Sequence, residues 1–187
     1  MNKLSLVLAA SLVAGVAYAG ESDNKAYGYV NVAGGRAHLN AKCFGVTTCD
    51  TDAMGLKLIG GYKLSNGIGF EGGYVNFGKA KAADATGSEQ VKTSAITLGG
   101  LYTVSMGNWG LNMRLGAAVV KTKYTNDLAS LDISASKTST KPYAGVGLEY
   151  GFTPTTKLEL GVDTTKSSFN GQTANARLVT VGFTVGF

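Results

Sequence analysis

The chain has 187 residues, with 17 Lys and Arg against 12 Asp and Glu for a net charge of +5; 44% is hydrophobic, with 27 glycines, 9 tyrosines and only 2 prolines. So mild a positive excess, with no Lys/Arg run interleaved with aromatics, argues against a nucleic-acid surface. Past the N-terminus no stretch approaches the roughly 18 consecutive apolar residues of a membrane helix, and no window holds a 3.6-residue apolar period, which excludes helical membrane proteins and helical bundles.

The first residues read as an export leader. Lys3 supplies a positive start, Leu4 to Val16 an apolar stretch too short to span a bilayer, and Ala17-Tyr18-Ala19 the small-x-small pattern of a cleavage site. Residues 1–19 are therefore expected to be removed before Gly20, leaving residues 20–187 as one exported domain. In an oxidising compartment Cys43 and Cys49, the only two cysteines, are expected to close one small disulfide loop. Two thiols and the distant His38 do not make a metal site, and no metal or other cofactor is expected.

Beyond residue 25 the pattern is alternation with period two, and eight strands are predicted. The first, near Ala26–Gly35, sets Val30 and Val32 against Tyr29 and Asn31. The second, Met54–Leu64, sets Leu56, Leu58, Tyr62 and Leu64 against Lys57 and Lys63. Ser65-Asn66-Gly67 is a tight hairpin signal. The third, Ile68–Phe77, sets Ile68, Phe70 and Tyr74 against Gly69, Glu71 and Gly73. The fourth, near Thr93–Val104, sets Ile96, Leu98 and Tyr102 against Thr97, Gly99 and Thr103. In the fifth, Trp109, Leu111, Met113, Leu115, Ala117 and Val119 face away from Asn112, Arg114 and Gly116. The sixth, Lys141–Phe152, sets Ala144, Val146, Leu148, Tyr150 and Phe152 against Tyr143, Gly145, Gly147 and Glu149. The seventh carries Leu158, Leu160 and Val162 opposite Lys157, Glu159 and Asp163. The eighth carries Val179, Val181, Phe183, Val185 and Phe187 opposite Thr180, Gly182, Thr184 and Gly186.

Connections near 65–67, 105–108 and 153–156 are short, while those at about 36–53, 78–92, 121–140 and 164–176 are long and polar. Short turns on one side and long loops on the other mark an all-β, eight-stranded antiparallel transmembrane barrel. In hydrocarbon every backbone N–H and C=O needs a partner, and a closed sheet has no edge. A soluble sandwich or lipocalin also alternates. Its core cannot be the glycine- and charge-rich face, however, and Tyr62, Trp109, Tyr150 and Phe152 gather beside the short turns as an interfacial aromatic girdle does.

An eight-stranded lumen is nearly filled by its side chains. Inward-facing Lys57, Lys63, Arg114 and Lys157 match Glu71, Glu149, Glu159 and Asp163 in number, as a narrow interior requires of charge. The set reads as a structural ion-pair plug, with a gate opened by partner exchange as the sharper alternative. Glu149 and Glu159, from adjacent strands, are conceivable as an acid–base pair, but the basic residues beside them explain them more simply. His38 falls in the first long connection, where Ser88 or Ser130 could approach it; a solvated loop histidine is the simpler reading. The paired glycines Gly34-Gly35, Gly60-Gly61 and Gly72-Gly73 ease curvature of the wall. The C-terminal run Thr180-Val181-Gly182-Phe183-Thr184-Val185-Gly186-Phe187, through Thr180, Gly182, Val185 and Phe187, is similar to the signal by which the barrel-assembly machinery selects its substrates.

Segment Gly55–Lys79, GLKLIGGYKLSNGIGFEGGYVNFGK, resembles the second and third strands of the OmpA-like transmembrane domain family. Asn112-Met113-Arg114-Leu115-Gly116 resembles its fifth. Gly147-Leu148-Glu149-Tyr150, Thr153-Pro154 and Lys157-Leu158-Glu159-Leu160 resemble its sixth and seventh. The resemblance implies a small outer membrane barrel of OmpA/OmpX type with periplasmic termini. It places interior carboxylates at Glu71 and Glu149 and an interior base at Lys157. The expectation is a non-catalytic protein of the Gram-negative cell outer membrane with a structural or surface-interaction role. A narrow channel for ions or small solutes is the alternative, and an outer membrane lipid A-modifying hydrolase a remote one. Expected partners are membrane lipid and lipopolysaccharide, barrel-assembly machinery and periplasmic chaperones during biogenesis, and an extracellular ligand held by the loops; nucleic acid is not among them, and the protein is expected to be a monomer.

The C-terminal reading is testable. Burial of Phe187 in lipid is worth only about 1.5–3 kcal/mol, so its deletion should lower outer membrane insertion in cells while the purified chain still refolds in detergent. Wild-type insertion of the truncated chain would reduce the octet to a lipid-facing strand.

Overall fold

In the computed structural model, residues 26–40, 48–84, 87–128, 131–169 and 172–187 are described. Nine strands form one antiparallel sheet: β1 Tyr27–Leu39, β2 Thr48–Asp50, β3 Asp52–Lys63, β4 Ile68–Asp84, β5 Gly87–Met106, β6 Trp109–Leu128, β7 Leu131–Gly151, β8 Thr156–Phe169 and β9 Gln172–Gly186. The eight long strands run β4-β3-β1-β9-β8-β7-β6-β5, and pairing of β5 back onto β4 closes the ring. The short β2 extends the wall beyond β3 by pairing with Lys81–Ala83 of β4. The two ends of the barrel meet where Gly28 N donates to Phe187 O at 3.0 Å and Phe187 N returns to Gly28 O at 2.9 Å. The eight-stranded antiparallel barrel is therefore the fold of this chain.

Period two decides which residues face which way. Leu98, Leu115 and Ile96 are 71%, 72% and 64% exposed, while Lys57 and Asp163 are fully buried. Apolar outside and charged inside is the inverse of a soluble protein and is the arrangement of a wall standing in lipid. The short turns lie at 64–67, 107–108 and 152–155, close to expectation. At the first, Gly67 has φ +81°, as a side chain there rarely allows. Asn66 Oδ1 accepts from Ile68 N at 3.0 Å, and Gly67 O accepts from Thr103 N at 2.9 Å.

The opposite end departs from expectation. The segments read as long loops at 78–92, 121–140 and 164–176 are mostly ladder. Asp84 still faces Gly87, Leu128 faces Leu131, and Phe169 faces Gln172. The first connection also carries β1 on to Leu39 and starts β3 at Asp52, with β2 between. The physical reason is that backbone pairing outlasts the lipid. Where Lys, Thr and Ser replace the apolar phase, the alternation that betrays a strand disappears although the hydrogen bonds continue.

One irregularity matters later. Between Asn76 and Lys79 the β4–β5 register shifts, Gly78 takes φ +75°, and Gly78 N donates to Asn76 Oδ1 at 2.9 Å. A bulge resets which phase faces inward. Before it, Glu71, Val75 and Phe77 are buried; after it, Ala80 is buried while Lys79 and Lys81 are exposed.

The expected leader, 1–19, and the cleavage before Gly20 lie outside the described residues. So does the Cys43–Cys49 disulfide, although the backbone of Cys49 pairs with Ala82.

The topology is open to labelling in cells. With Cys43 and Cys49 replaced by Ser, a membrane-impermeant maleimide should reach Thr138→Cys on intact cells. It should reach Asn66→Cys and Asn108→Cys only after the outer membrane is opened. Labelling of the two turns in unbroken cells would invert the orientation.

Candidate functional site

Five inward side chains from four strands meet in the lumen. Lys57 comes from β3, Glu71 from β4, Arg114 from β6, and Glu159 and Asp163 from β8. Lys57 Nζ lies 2.9 Å from Glu159 Oε1 and 2.9 Å from Asp163 Oδ2. Arg114 Nε donates to Glu71 Oε2 at 3.2 Å, and Arg114 Nη2 donates to Glu159 Oε2. Glu159 is the hub, since Asn112 Nδ2 also donates to it at 3.2 Å and is itself held by Thr103 Oγ1 at 2.7 Å.

The count of charge is two cations to three carboxylates. Two phenols address the excess: Tyr29 OH donates to Glu71 Oε2 at 2.8 Å, and Tyr143 OH donates to Asp163 Oδ1. Buried charge without a partner is severely unfavourable, and a buried pair holds only if its remaining lone pairs are also satisfied. Here each carboxylate of the cluster accepts at least two hydrogen bonds.

Glycine makes the room. A Cβ at Gly147 would stand 2.9 Å from Arg114 Nη1 and 3.0 Å from Glu159 Cδ. One at Gly145 would meet Asp163 Oδ1 at 2.5 Å, and one at Gly161 would meet Lys57 Nζ at 3.0 Å. These glycines are the hollows into which the long charged side chains fold.

The other three expected lumen residues, Lys63, Glu149 and Lys157, stand apart at the short-turn mouth. Lys157 Nζ donates to Tyr27 OH at 3.2 Å, and the Lys63 and Lys157 ammonium groups lie 5.5 and 5.4 Å from the Tyr27 ring centre. Glu149 and Lys157 line a cavity of about 290 Å³ with Ser105, Asn108 and Trp109. The eight residues thus form a closed central cluster and a separate mouth group.

Toward the opposite end the lumen becomes apolar, which the sequence reading missed. Leu39, Val75, Phe77, Val120, Tyr143 and Leu178 pack with several alanines in one buried cluster. The signal was present. Val75 and Phe77 continue the inward phase of Glu71, and Leu178 continues that of Thr180, so the inward phase itself turns apolar there. Beyond this layer Thr122 and Ser167 hydroxyls pair at 2.8 Å.

On the outer wall, Trp109 and Tyr150 meet edge to face at 4.9 Å, Tyr150 and Phe152 at 5.3 Å, and Tyr62 stacks on Phe70 at 5.9 Å. Within the C-terminal run Thr180 and Gly182 face inward and are buried, Phe187 faces outward, and Val185 is half-buried on that outward phase. His38 lies in β1, not in a loop: its exposed ring has Nδ1 3.2 Å from Asp52 Oδ1, and Arg36 Nη2 lies 3.5 Å from Asp52 Oδ2. Ser130 and the side chain of Ser88 lie outside the described residues. Among the described residues, no group of three His, Cys, Asp or Glu could hold a metal ion.

With the geometry established, comparison with known proteins is informative. The family model for the outer membrane protein beta-barrel domain matches residues 5–187. The chain belongs to that family. Solved structures with this fold include Neisserial surface protein A, at 19% identity and TM-score 0.59, covering 90% of this chain and 100% of that one. Ail, the attachment invasion locus protein of Yersinia pestis, matches at 17% identity and TM-score 0.57, covering 86% and 99%. OprG from Pseudomonas aeruginosa matches at 16% and 0.56, covering 89% and 99%. Among curated protein sequences none matches. Membership places the protein in the Gram-negative outer membrane as a small eight-stranded barrel, and the similarity in structure shows the fold alone.

The packing of the cluster makes a prediction. Gly147→Val should drive Arg114 from Glu159 and cost about 3–5 kcal/mol, the range for a broken buried pair. Gly100→Val, whose nearest neighbour at the Cβ site is 3.9 Å away, should change little. Urea midpoints of barrel unfolding in lipid vesicles give both values.

Proposed function

We propose that this outer membrane barrel is non-catalytic, with a closed lumen and a structural or surface-interaction role carried by the ladders that rise beyond the lipid. The observation that carries the reading is the stacking of two seals in one lumen. The Lys57–Glu159–Arg114 cluster fills the middle with paired charge, and the Phe77–Leu178 layer closes the side away from the short turns with apolar side chains. A channel needs a continuous polar path, and an apolar constriction dewets.

In this reading the short turns and both ends of the chain are periplasmic, and the far ends of the β4–β5, β6–β7 and β8–β9 hairpins stand outside the cell. Residues 1–19 direct export, the C-terminal octet addresses the assembly machinery, and the folded barrel works as a monomer. The exposed Asp52 beside His38 accounts for the histidine without a hydrolase.

Planar-bilayer recording distinguishes the closed barrel from the channel. The refolded chain should give no regular conductance steps. Reproducible steps from wild type would replace the structural reading with the channel.

A further inference from the structure

The outer face carries an arrangement that neither the closed lumen nor the fold requires. Just beyond the apolar band, Lys79 of β4 faces Lys92 of β5, and Lys92 faces Lys123 of β6. All three are exposed, as is Lys121 one outward step closer to the lipid on β6. Facing outward residues on neighbouring antiparallel strands have Cβ atoms about 4.5–5.5 Å apart, and like charges there repel. Among the described side chains, no carboxylate interrupts the row. The outward positions around it are Ser94 and Gln90 on β5, Thr125 on β6, and Ser136 and Thr138 on β7. Asp50 of β2 faces the neighbouring Lys81 instead.

The wall is built to assemble this row. Without the bulge at Gly78, the phase of β4 would turn Lys79 into the lumen; the bulge turns it outward to meet Lys92. Across the barrel the matching level is different, because there Arg36 and His38 share Asp52. Exposed Arg177 faces His38 there and exposed Lys166 faces Asn175, whereas among the described pairings lysine faces lysine only on the β4–β5–β6 face.

Directly below the row, on β5 and β6, stand the outward Ile96, Leu98, Leu115 and Val119, all exposed apolar side chains. An anion that met only the lysines would leave this band to any lipid. An amphiphile that sets acyl chains on the band and phosphate at the row meets both. We propose that the β4–β5–β6 face binds a phosphorylated glycolipid of the outer leaflet, a lipopolysaccharide, through phosphate on Lys79, Lys92, Lys121 and Lys123, with hydroxyls of Ser94 and Thr138 beside it. The binding rests on the outward-standing ladders of the proposed function.

The test refolds the full chain into phosphatidylcholine vesicles containing bisphosphorylated lipid A, monophosphorylated lipid A, or neither, and follows the melting of the folded gel band. Bisphosphorylated lipid A should raise the wild-type melting temperature by several degrees, and the monophosphorylated form should raise it less. Lys92→Glu sets a carboxylate between two lysines. In plain phosphatidylcholine it should therefore melt at or above wild type, yet lose most of the response to lipid A. Lys92→Arg should keep the response, and so should Lys166→Glu on the opposite face. An unchanged response in Lys92→Glu, or none in wild type, overturns the proposal. Stabilisation of wild type by soluble heparin but not by lipid A would overturn it in favour of an acidic glycan. Failure of the barrel reading would appear separately, as no folded band in plain vesicles, and would overturn both.

Discussion

The interior of this barrel is governed by what charge must do in a space too narrow for bulk water. Closing eight strands satisfies every wall hydrogen bond in hydrocarbon, but it also brings inward side chains of different strands within reach of one another. Lys57 and Arg114 cannot remain isolated there, and Glu71, Glu159 and Asp163 cannot either. They converge on Glu159 from β3 and β6 because glycines at 145, 147 and 161 leave the volume for them. Sequence composition that looks permissive, with 27 glycines, is in part a steric condition for the charge cluster.

The same logic divides the lumen into layers. Where phenols, amides and carboxylates can satisfy one another the inside is polar. Beyond Tyr143 the inward phase turns to Val120, Phe77 and Leu178, apolar side chains that carry no hydrogen-bond requirement. The outer face is sorted by its surroundings in parallel fashion. Aromatic pairs such as Trp109–Tyr150 stand at the short-turn end, aliphatic residues fill the middle, and lysines begin where β4 bulges.

The architecture was legible from the sequence because lipid imposes a strict alternation: Leu56, Leu58 and Tyr62 against Lys57 and Lys63 leave little freedom in facing. The strand ends beyond the lipid were not legible. From Lys121 to Thr140 neither phase is apolar, so a paired ladder and a polar loop read alike. The five central charges could be named, but not that Lys63, Glu149 and Lys157 stand apart at the mouth, because strand stagger sets height in the lumen and one strand's spacing does not record it. The Phe77–Leu178 layer was missed because Val75, Phe77, Val120 and Leu178 were given no facing in the strand pattern. The bulge at Gly78 was hidden in an ordinary-looking Asn-Phe-Gly-Lys.

The claim at the centre of this account is that the lumen charges are held by one another. A double-mutant cycle on Lys57 and Glu159 measures that coupling directly, using Lys57→Met, Glu159→Leu and the double variant unfolded by urea in lipid vesicles. Each single variant leaves a buried charge short of a partner and is predicted to lose about 3–5 kcal/mol. The double variant is predicted to lose less than the sum, by a coupling toward the upper end of the ~0.5–3 kcal/mol found for residues in contact. Additive losses would contradict the account, because the two residues would then act independently in the lumen.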